Sequence, residues 1–143
     1  MTQAPAPTIA HTPIEVDWVG GSEFDAHRQG GPKIRIDGDA KSAPSPFDAL
    51  LAAMATCAAT DVVTILEKQR TPAKALHVRV EAQRVAATPR RLVSAVLHFT
   101  INAPGATGAK AERAVELAVT KYCSVRSSLL EDASVRWTIE LTT

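Results

Sequence analysis

Two cysteines are the residues of this chain best suited to chemistry. Cys57 lies inside an apolar, alanine-rich run, and Cys123 follows a segment with helical spacing. A thiol attacks as the thiolate, and an oxidised cysteine is trapped as a disulfide when a second thiol reaches it. The pair therefore indicates redox chemistry if the sulfurs meet, which sequence separation does not show. The residues alone equally allow two packing cysteines, because a free cysteine behaves as a small hydrophobe.

Activation of Cys57 requires a nearby cation or hydrogen-bond donor. An apolar helix interior by itself raises the pKa of a thiol and leaves it protonated. Three arginines are candidates for such a cation: Arg28, Arg35 and Arg126. Arg28 lies beside a glycine pair, Arg35 lies in an alternating segment, and Arg126 follows Cys123.

Two acids flank Cys57 on the same predicted helix, Asp48 and Asp61. A carboxylate beside a thiol discourages the thiolate, so either acid helps only by positioning a cation. Asp48 also lies three residues after Ser45, where a capping box places its acid. The residues leave both roles open for Asp48.

The sequence gives little support for other kinds of functional site. The four histidines are dispersed and lack zinc-ligand spacing, and His77 and His98 fall on polar strand faces where they could pair. A Cys-His-Asn hydrolase stays possible without specific support, and neither glycine pair has the spacing of a phosphate loop. A net charge of +1 argues for neither nucleic acid nor an anionic membrane. The start of the chain lacks signal-peptide features, so we expect a cytoplasmic protein.

The element that must position Cys57 is a long helix over residues 45–70. Ser45 can cap it, Pro46 suits its first turn, and no further glycine or proline follows before Pro72. Residues 50–59 are nearly all apolar or small, which predicts burial on all sides by sheet or by a second subunit. The apolar run, flanked by Asp48 and Asp61, is predicted to be too short to span a bilayer.

Strands and two further helices surround this element in the sequence. Alternating patterns predict strands at residues 14–18, 23–28, 33–37, 76–83, 93–101 and 135–141. Helical spacing predicts a helix over residues 109–122 and a short one over residues 125–130, capped by Ser124. This order predicts an α+β fold with largely antiparallel sheet. We expect one domain over residues 14–143, preceded by a disordered or extended tail over residues 1–13.

Two motifs resemble one protein family. The run at residues 43–57 reads APSPFDALLAAMATC, followed by Asp61, Val62 and Val63, and a second run at residues 121–125 reads KYCSV. Together they resemble the central helix and second cysteine segment of the OsmC/Ohr family (osmotically inducible protein C and organic hydroperoxide resistance protein). The resemblance covers about residues 14–141.

The resemblance implies an intertwined homodimer whose mostly antiparallel sheets wrap long buried central helices. It implies a thiol peroxidase that reduces organic hydroperoxides without metal, haem or other cofactor. By resemblance, Cys57 attacks the peroxide and becomes a sulfenic acid, Cys123 condenses with it to a disulfide, and a dithiol reductant restores both thiols. Arg28 is assigned as the activating arginine, with Arg35 or neither of the two as the alternatives, and Asp48 as the acid that holds it.

Two positions depart from the family pattern. The peroxidases carry a glutamate where this chain has Phe47, and Asp48 comes one residue later. They also follow the second cysteine with proline, where this chain has Ser124. Two alternatives to the peroxidase therefore stay open. One is a non-catalytic protein of this fold that binds a small hydrophobic ligand, and the other is a dimer whose cysteines only pack.

Overall fold

The computed structural model describes residues 4–143. The chain divides after Ala49 into two compact units. Residues 4–13 are exposed and form neither helix nor strand, and residues 1–3 lie outside the described residues, so the disordered or extended tail over residues 1–13 stays a prediction. The expectation of one domain over residues 14–143 stays a prediction.

The first unit contains a three-stranded antiparallel sheet. Its strands are β1 (Ile14–Gly20), β2 (Glu23–Arg28) and β3 (Ile34–Asp37), in that order. Trp18 pairs with Phe24 across the β1–β2 turn, where Gly20 and Gly21 adopt positive φ angles that favour glycine. The three strands confirm the alternating patterns. One face carries apolar side chains that stay exposed: Ile14, Val16, Trp18, Phe24 and Ile34.

Asp37 organises the loop between β3 and the long helix. Its carboxylate is buried and accepts hydrogen bonds from the Ser22 hydroxyl and from the backbone N–H groups of Asp39, Lys41 and Ser42. These bonds, led by the one from Ser22, hold the pKa of the Asp37 carboxyl far below its ordinary value.

Replacing Asp37 with asparagine is expected to lower the melting temperature by roughly 5 °C or more, since the amide offers one acceptor oxygen where two are used. Because the pKa is lowered in the folded state, the ionised carboxylate contributes stability above the unfolded carboxyl pKa of about 3.9. This contribution is lost as pH falls toward the folded pKa. The difference in melting temperature between D37N and the native chain should therefore shrink below about pH 4. The exposed neighbour provides the control, Asp39→Asn. Equal melting temperatures for the two variants at pH 7 would contradict this account.

The second unit contains most of the long helix and a three-stranded mixed sheet. Helix α1 (Pro46–Lys68) begins just before the boundary between the units, and the strands are β4 (Ala75–Arg84), β5 (Leu92–Asn102) and β6 (Ser134–Thr142). β4 and β5 form the predicted antiparallel hairpin, and β6 lies parallel to β5 on its other side. The sheets are thus largely antiparallel, with one parallel pair.

The connection from β5 to β6 carries the remaining helices. Helix α2 (Gly108–Leu117) continues into a π-helical turn (Ala118–Tyr122), and helix α3 (Ser124–Ser127) follows Cys123 directly. A parallel pair needs such a crossover, because its strands run in the same direction. The predicted helix over residues 109–122 consists of α2 and the π-helical turn, which differ in pitch.

Helix α1 is buried on one stripe within the chain. Met54, Ala58, Val62 and Leu66 are fully buried at four-residue spacing, which is one face of a helix. The opposite face stays exposed, so the predicted burial on all sides is not achieved by one chain. The helix is also long and apolar enough to cross a membrane by length and composition, which corrects the expectation that its apolar run is too short.

Two local expectations are wrong. The alternation of Val93 with Ala95 and Leu97 predicts that all three share the buried face of β5, but Val93 is exposed, because a register shift at Gln83 and Arg84 leaves it as an extra residue. His98 lies opposite Arg79 rather than His77, and its ring nitrogens lie near Thr138 and Glu81.

Candidate functional site

Both cysteines lie in the second unit, and the structure brings their thiols together. Cys57 is half-buried in the middle of α1, and Cys123 is fully buried directly after the π-helical turn. Both are free thiols, and they lie close enough for each to shift the pKa of the other. The sequence left open whether the two sulfurs meet, and the fold brings them together.

Cys123 acts as the N-cap of α3. Its backbone is extended, with φ −72° and ψ 98°, and its sulfur accepts the backbone N–H of Arg126 at 3.4 Å. The sulfur takes the place of the serine or aspartate oxygen that usually caps a helix. The prediction that Ser124 caps this helix is wrong, because Ser124 is already its first residue. On the other side, the Cys123 thiol donates a hydrogen bond to the carbonyl oxygen of Met54 on α1, at 3.8 Å.

The surroundings of Cys57 favour its thiolate. Burial raises the pKa of this thiol, but donated hydrogen bonds from the Val125 backbone N–H, the Cys123 thiol and Ser124 outweigh burial. The Ser124 hydroxyl lies 3.9 Å from the Cys57 sulfur. The net result is a Cys57 pKa below its ordinary value.

The surroundings of Cys123 have the opposite effect. Burial raises the pKa of Cys123, the Arg126 N–H lowers it, and the neighbouring Cys57 raises it again through a hydrogen bond and like charge. The net pKa of Cys123 lies above its ordinary value. The two thiols are therefore unequal: Cys57 loses its proton first, and Cys123 keeps its proton.

Asp48 is engaged at the start of α1. Its backbone N–H donates to the Ser45 hydroxyl at 3.0 Å, and its carboxylate accepts the Ser45 backbone N–H at 2.9 Å. This reciprocal pair is the capping box that the sequence allowed. The further role assigned to Asp48, holding an arginine for Cys57, stays a prediction.

The candidate arginines fall in different places. Arg28 ends β2 with an exposed side chain, and Arg35 on β3 forms ion pairs with Asp25 and Glu23 of β2. Arg126 contributes its backbone N–H to Cys123 rather than a charge to Cys57. The assignment of Arg28 as the activating cation stays a prediction.

Sequence reasoning missed the donors at the start of α3. Ser124 and Val125 approach the Cys57 sulfur, one through its hydroxyl and both through backbone N–H groups. The available signal was the serine that stands where the resembling peroxidases have proline. Within residues 4–143, no group of three metal-ligating side chains could hold a metal ion.

A shallow cavity of about 240 Å³ lies beside the site, where α3 leads toward β6. Its lining residues are Arg126, Ser127, Leu129, Leu130, Glu131 and Ala133. It combines aliphatic side chains with one acid and one base, so it can accept a small amphipathic molecule.

A long helix carrying one thiol, a second thiol against it and two three-stranded sheets define an OsmC-type protein. The family model described as OsmC-like protein matches residues 38–140, and the chain belongs to this family. This confirms the resemblance drawn from the two motifs.

Particular relatives give the same result. Protein YhfA of Escherichia coli K12 is 34% identical over 127 residues, covering 88% of this chain and 95% of that protein. The solved OsmC-like protein of Mycoplasma pneumoniae superposes with a TM-score of 0.81 at 16% identity, covering 95% of this chain and all of the other. An organic hydroperoxide resistance protein OsmC from Legionella pneumophila superposes with a TM-score of 0.66 at 17% identity, over 94% and 99% of the two chains. At these identities the two structures show a shared fold.

Proposed function

We propose that this protein is a thiol-dependent peroxidase that reduces organic hydroperoxides through Cys57 and Cys123. The observation that carries the proposal is the contact between two thiols whose pKa values are shifted in opposite directions. A peroxidatic cysteine needs thiolate character, and a resolving cysteine must lie beside it. The family includes proteins named for organic hydroperoxide resistance, which supports the same class of substrate and a role in stress protection.

The first step oxidises Cys57. Its thiolate attacks the terminal oxygen of the hydroperoxide, an S–O bond forms, and the O–O bond breaks. The sulfur loses two electrons to the peroxide and becomes a sulfenic acid, while the alkoxide leaves and takes up a proton to give the alcohol.

The second step uses Cys123. Its sulfur attacks the sulfenic sulfur of Cys57, and an S–S bond forms as the S–O bond breaks. The proton that Cys123 carries leaves with the hydroxide as water. A dithiol reductant then restores both thiols by two exchanges: its first thiol forms a mixed disulfide and releases one protein thiol, and its second thiol breaks the mixed disulfide, which releases the other protein thiol and leaves the reductant as a disulfide. The cycle fits a reducing compartment such as the cytoplasm, where thiol reductants are maintained.

The direct test is single turnover of the reduced protein with cumene or tert-butyl hydroperoxide. We expect one peroxide consumed per chain without reductant, a loss of about 2 Da as the disulfide forms, and repeated turnover when a dithiol is added. Cys123→Ser should instead stop at a sulfenic acid that dimedone captures and that excess peroxide converts to sulfinic acid. Peroxide loss no faster than with the dithiol alone would overturn the proposal.

We also propose that the protein works as a homodimer. Three exposed threonines on α1, Thr56, Thr60 and Thr64, each donate a hydroxyl hydrogen bond to the carbonyl oxygen four residues earlier. Their hydroxyl donors are thus used inside the helix, and the threonine methyl groups add apolar surface to the outward face. Such a face can be buried without leaving donors unpaired. A second copy of this chain is the occupant that we propose.

A non-catalytic ligand-binding role is the second candidate. The cavity lined by Leu129, Leu130 and Ala133 supports it. This role predicts saturable binding of a small hydrophobic carboxylate or alcohol, with no peroxide consumption and an unreactive Cys57. The single-turnover experiment separates the two functions.

A further inference from the structure

Ser124 offers Cys57 two donors from one residue. Its hydroxyl lies 3.9 Å from the Cys57 sulfur, and its backbone N–H lies near enough to help lower the pKa of that thiol. The proline that the family peroxidases carry here has neither group, because proline lacks both a hydroxyl and a backbone N–H. The chain therefore has a hydrogen-bonding capacity at Cys57 that the related pattern lacks.

The Ser124 hydroxyl is not occupied by capping its own helix. The Cys123 sulfur caps α3, and within residues 4–143 the recorded partner of the Ser124 hydroxyl is the Cys57 sulfur. The carbonyl oxygen of Ser124 accepts hydrogen bonds from the hydroxyl and backbone N–H of Ser128, which fix the first turn of α3. The serine is thus held in place by its backbone while its hydroxyl faces the thiol.

We propose that the Ser124 hydroxyl is a catalytic hydrogen-bond donor that stabilises the Cys57 thiolate. It supplies at this sulfur the stabilisation that the resemblance assigns to a cation. A thiolate accepts hydrogen bonds more strongly than a thiol does, so a donor fixed beside the sulfur favours ionisation. The inference rests on the proposed peroxidase function and assigns one more residue to its site.

The Val125 backbone N–H also lowers the pKa of Cys57, but a side-chain substitution leaves that N–H in place. The titratable group that faces Cys57 from the neighbouring segment is Cys123, whose raised pKa keeps it neutral. Asp61 lies one turn further along α1 and, as a carboxylate, accepts rather than donates. The Ser124 hydroxyl is therefore a neutral donor whose removal changes no charge.

The test is the pH dependence of Cys57 alkylation by iodoacetamide, followed by mass spectrometry of the Cys57 peptide. Ser124→Ala removes the hydroxyl and keeps the N–H, and we expect it to raise the pKa of Cys57 by about 0.5–1 units. Alkylation near pH 7 should slow by roughly 3–10-fold. Ser124→Thr, which retains a hydroxyl, should restore most of the native profile.

Ser127→Ala is the matched control, because it removes an exposed hydroxyl from the same short helix without touching Cys57. An unchanged pKa in Ser124→Ala, or an equal shift in Ser127→Ala, would overturn the inference. The melting temperature of each variant shows whether a shift merely reflects a loosened fold.

The alkylation measurement needs no peroxide, so it separates this inference from the proposed function. If the native protein consumes no peroxide but Ser124→Ala still shifts the pKa, the peroxidase proposal fails and the donor role stands. If peroxide turnover is rapid and Ser124→Ala leaves its rate unchanged at every pH, the peroxidase proposal stands and the donor role fails.

Discussion

Cys57→Ser is expected to abolish the consumption of organic hydroperoxides, with a loss of about 10³-fold or more. The donors around residue 57 lower the pKa of its thiol below the ordinary value. They cannot ionise an alcohol, whose pKa lies far higher, so the nucleophile is lost while the fold is kept. The substitution exchanges sulfur for oxygen in a half-buried position and leaves the buried stripe of α1 untouched.

The measurement is the steady-state rate of cumene hydroperoxide reduction with excess dithiol. Thr56→Ser is the control on the adjacent position, because it keeps the hydroxyl that bonds to Ala52 and does not alter the thiol. We expect native turnover from this control. If Cys57→Ser kept more than a few per cent of the native rate, another residue would be the nucleophile and the peroxidase cycle written above would be wrong.

The sequence was sufficient to predict the elements. Period-two alternation located every strand, and the absence of glycine and proline between Pro46 and Pro72 located the long helix. These are local patterns, and each is specified by residues close together in the chain. The two motifs also identified the family, because they combine helix spacing with cysteine positions.

The contact between the thiols could not be predicted from local patterns. Cys57 and Cys123 are separated by a hairpin and by α2, and only the packing of these elements brings the sulfurs together. The capping role of Cys123 was missed for a related reason. Serine is the usual capping residue, so the pattern favoured Ser124, whereas the extended backbone of Cys123 starts the helix one residue earlier.

The two roles open for Asp48 illustrate what the structure adds. The sequence offered a capping residue and an arginine partner, since both need a carboxylate near the start of a helix, and helix geometry counted against the second role. The structure shows the capping box formed with Ser45. On an ideal helix, nine residues at about 100° each place Asp48 on the side opposite Cys57, which fits a structural acid.

The exposed face of α1 is the basis of the second prediction, which concerns the oligomeric state of the protein. A helix this apolar, with only one buried stripe, needs a covering that one chain does not supply. A bilayer is one possible covering, but Asp61 lies within the helix, and a carboxylate at the bilayer centre costs about 2.5–3.5 kcal/mol. A second copy of the chain covers the same face without that cost. The threonine hydroxyls are already paired within the helix and suit a dry interface.

Thr60→Arg is therefore expected to convert a dimer into a monomer at micromolar concentration. An arginine at this position places an unpaired charge in the proposed interface, which costs about 3 kcal/mol or more and weakens association over 100-fold. In a protein that stays monomeric, the same arginine extends into water and costs little.

The measurement is sedimentation velocity of the native chain and of each variant. Thr100→Arg is the matched control, because Thr100 is an equally exposed threonine on the polar face of β5. We expect the native chain and Thr100→Arg to sediment as dimers and Thr60→Arg as a monomer. A native monomer, or a dimer that tolerates Thr60→Arg, would show that α1 does not form the interface. Association of the native chain with vesicles of neutral phospholipid would instead assign this face to a membrane.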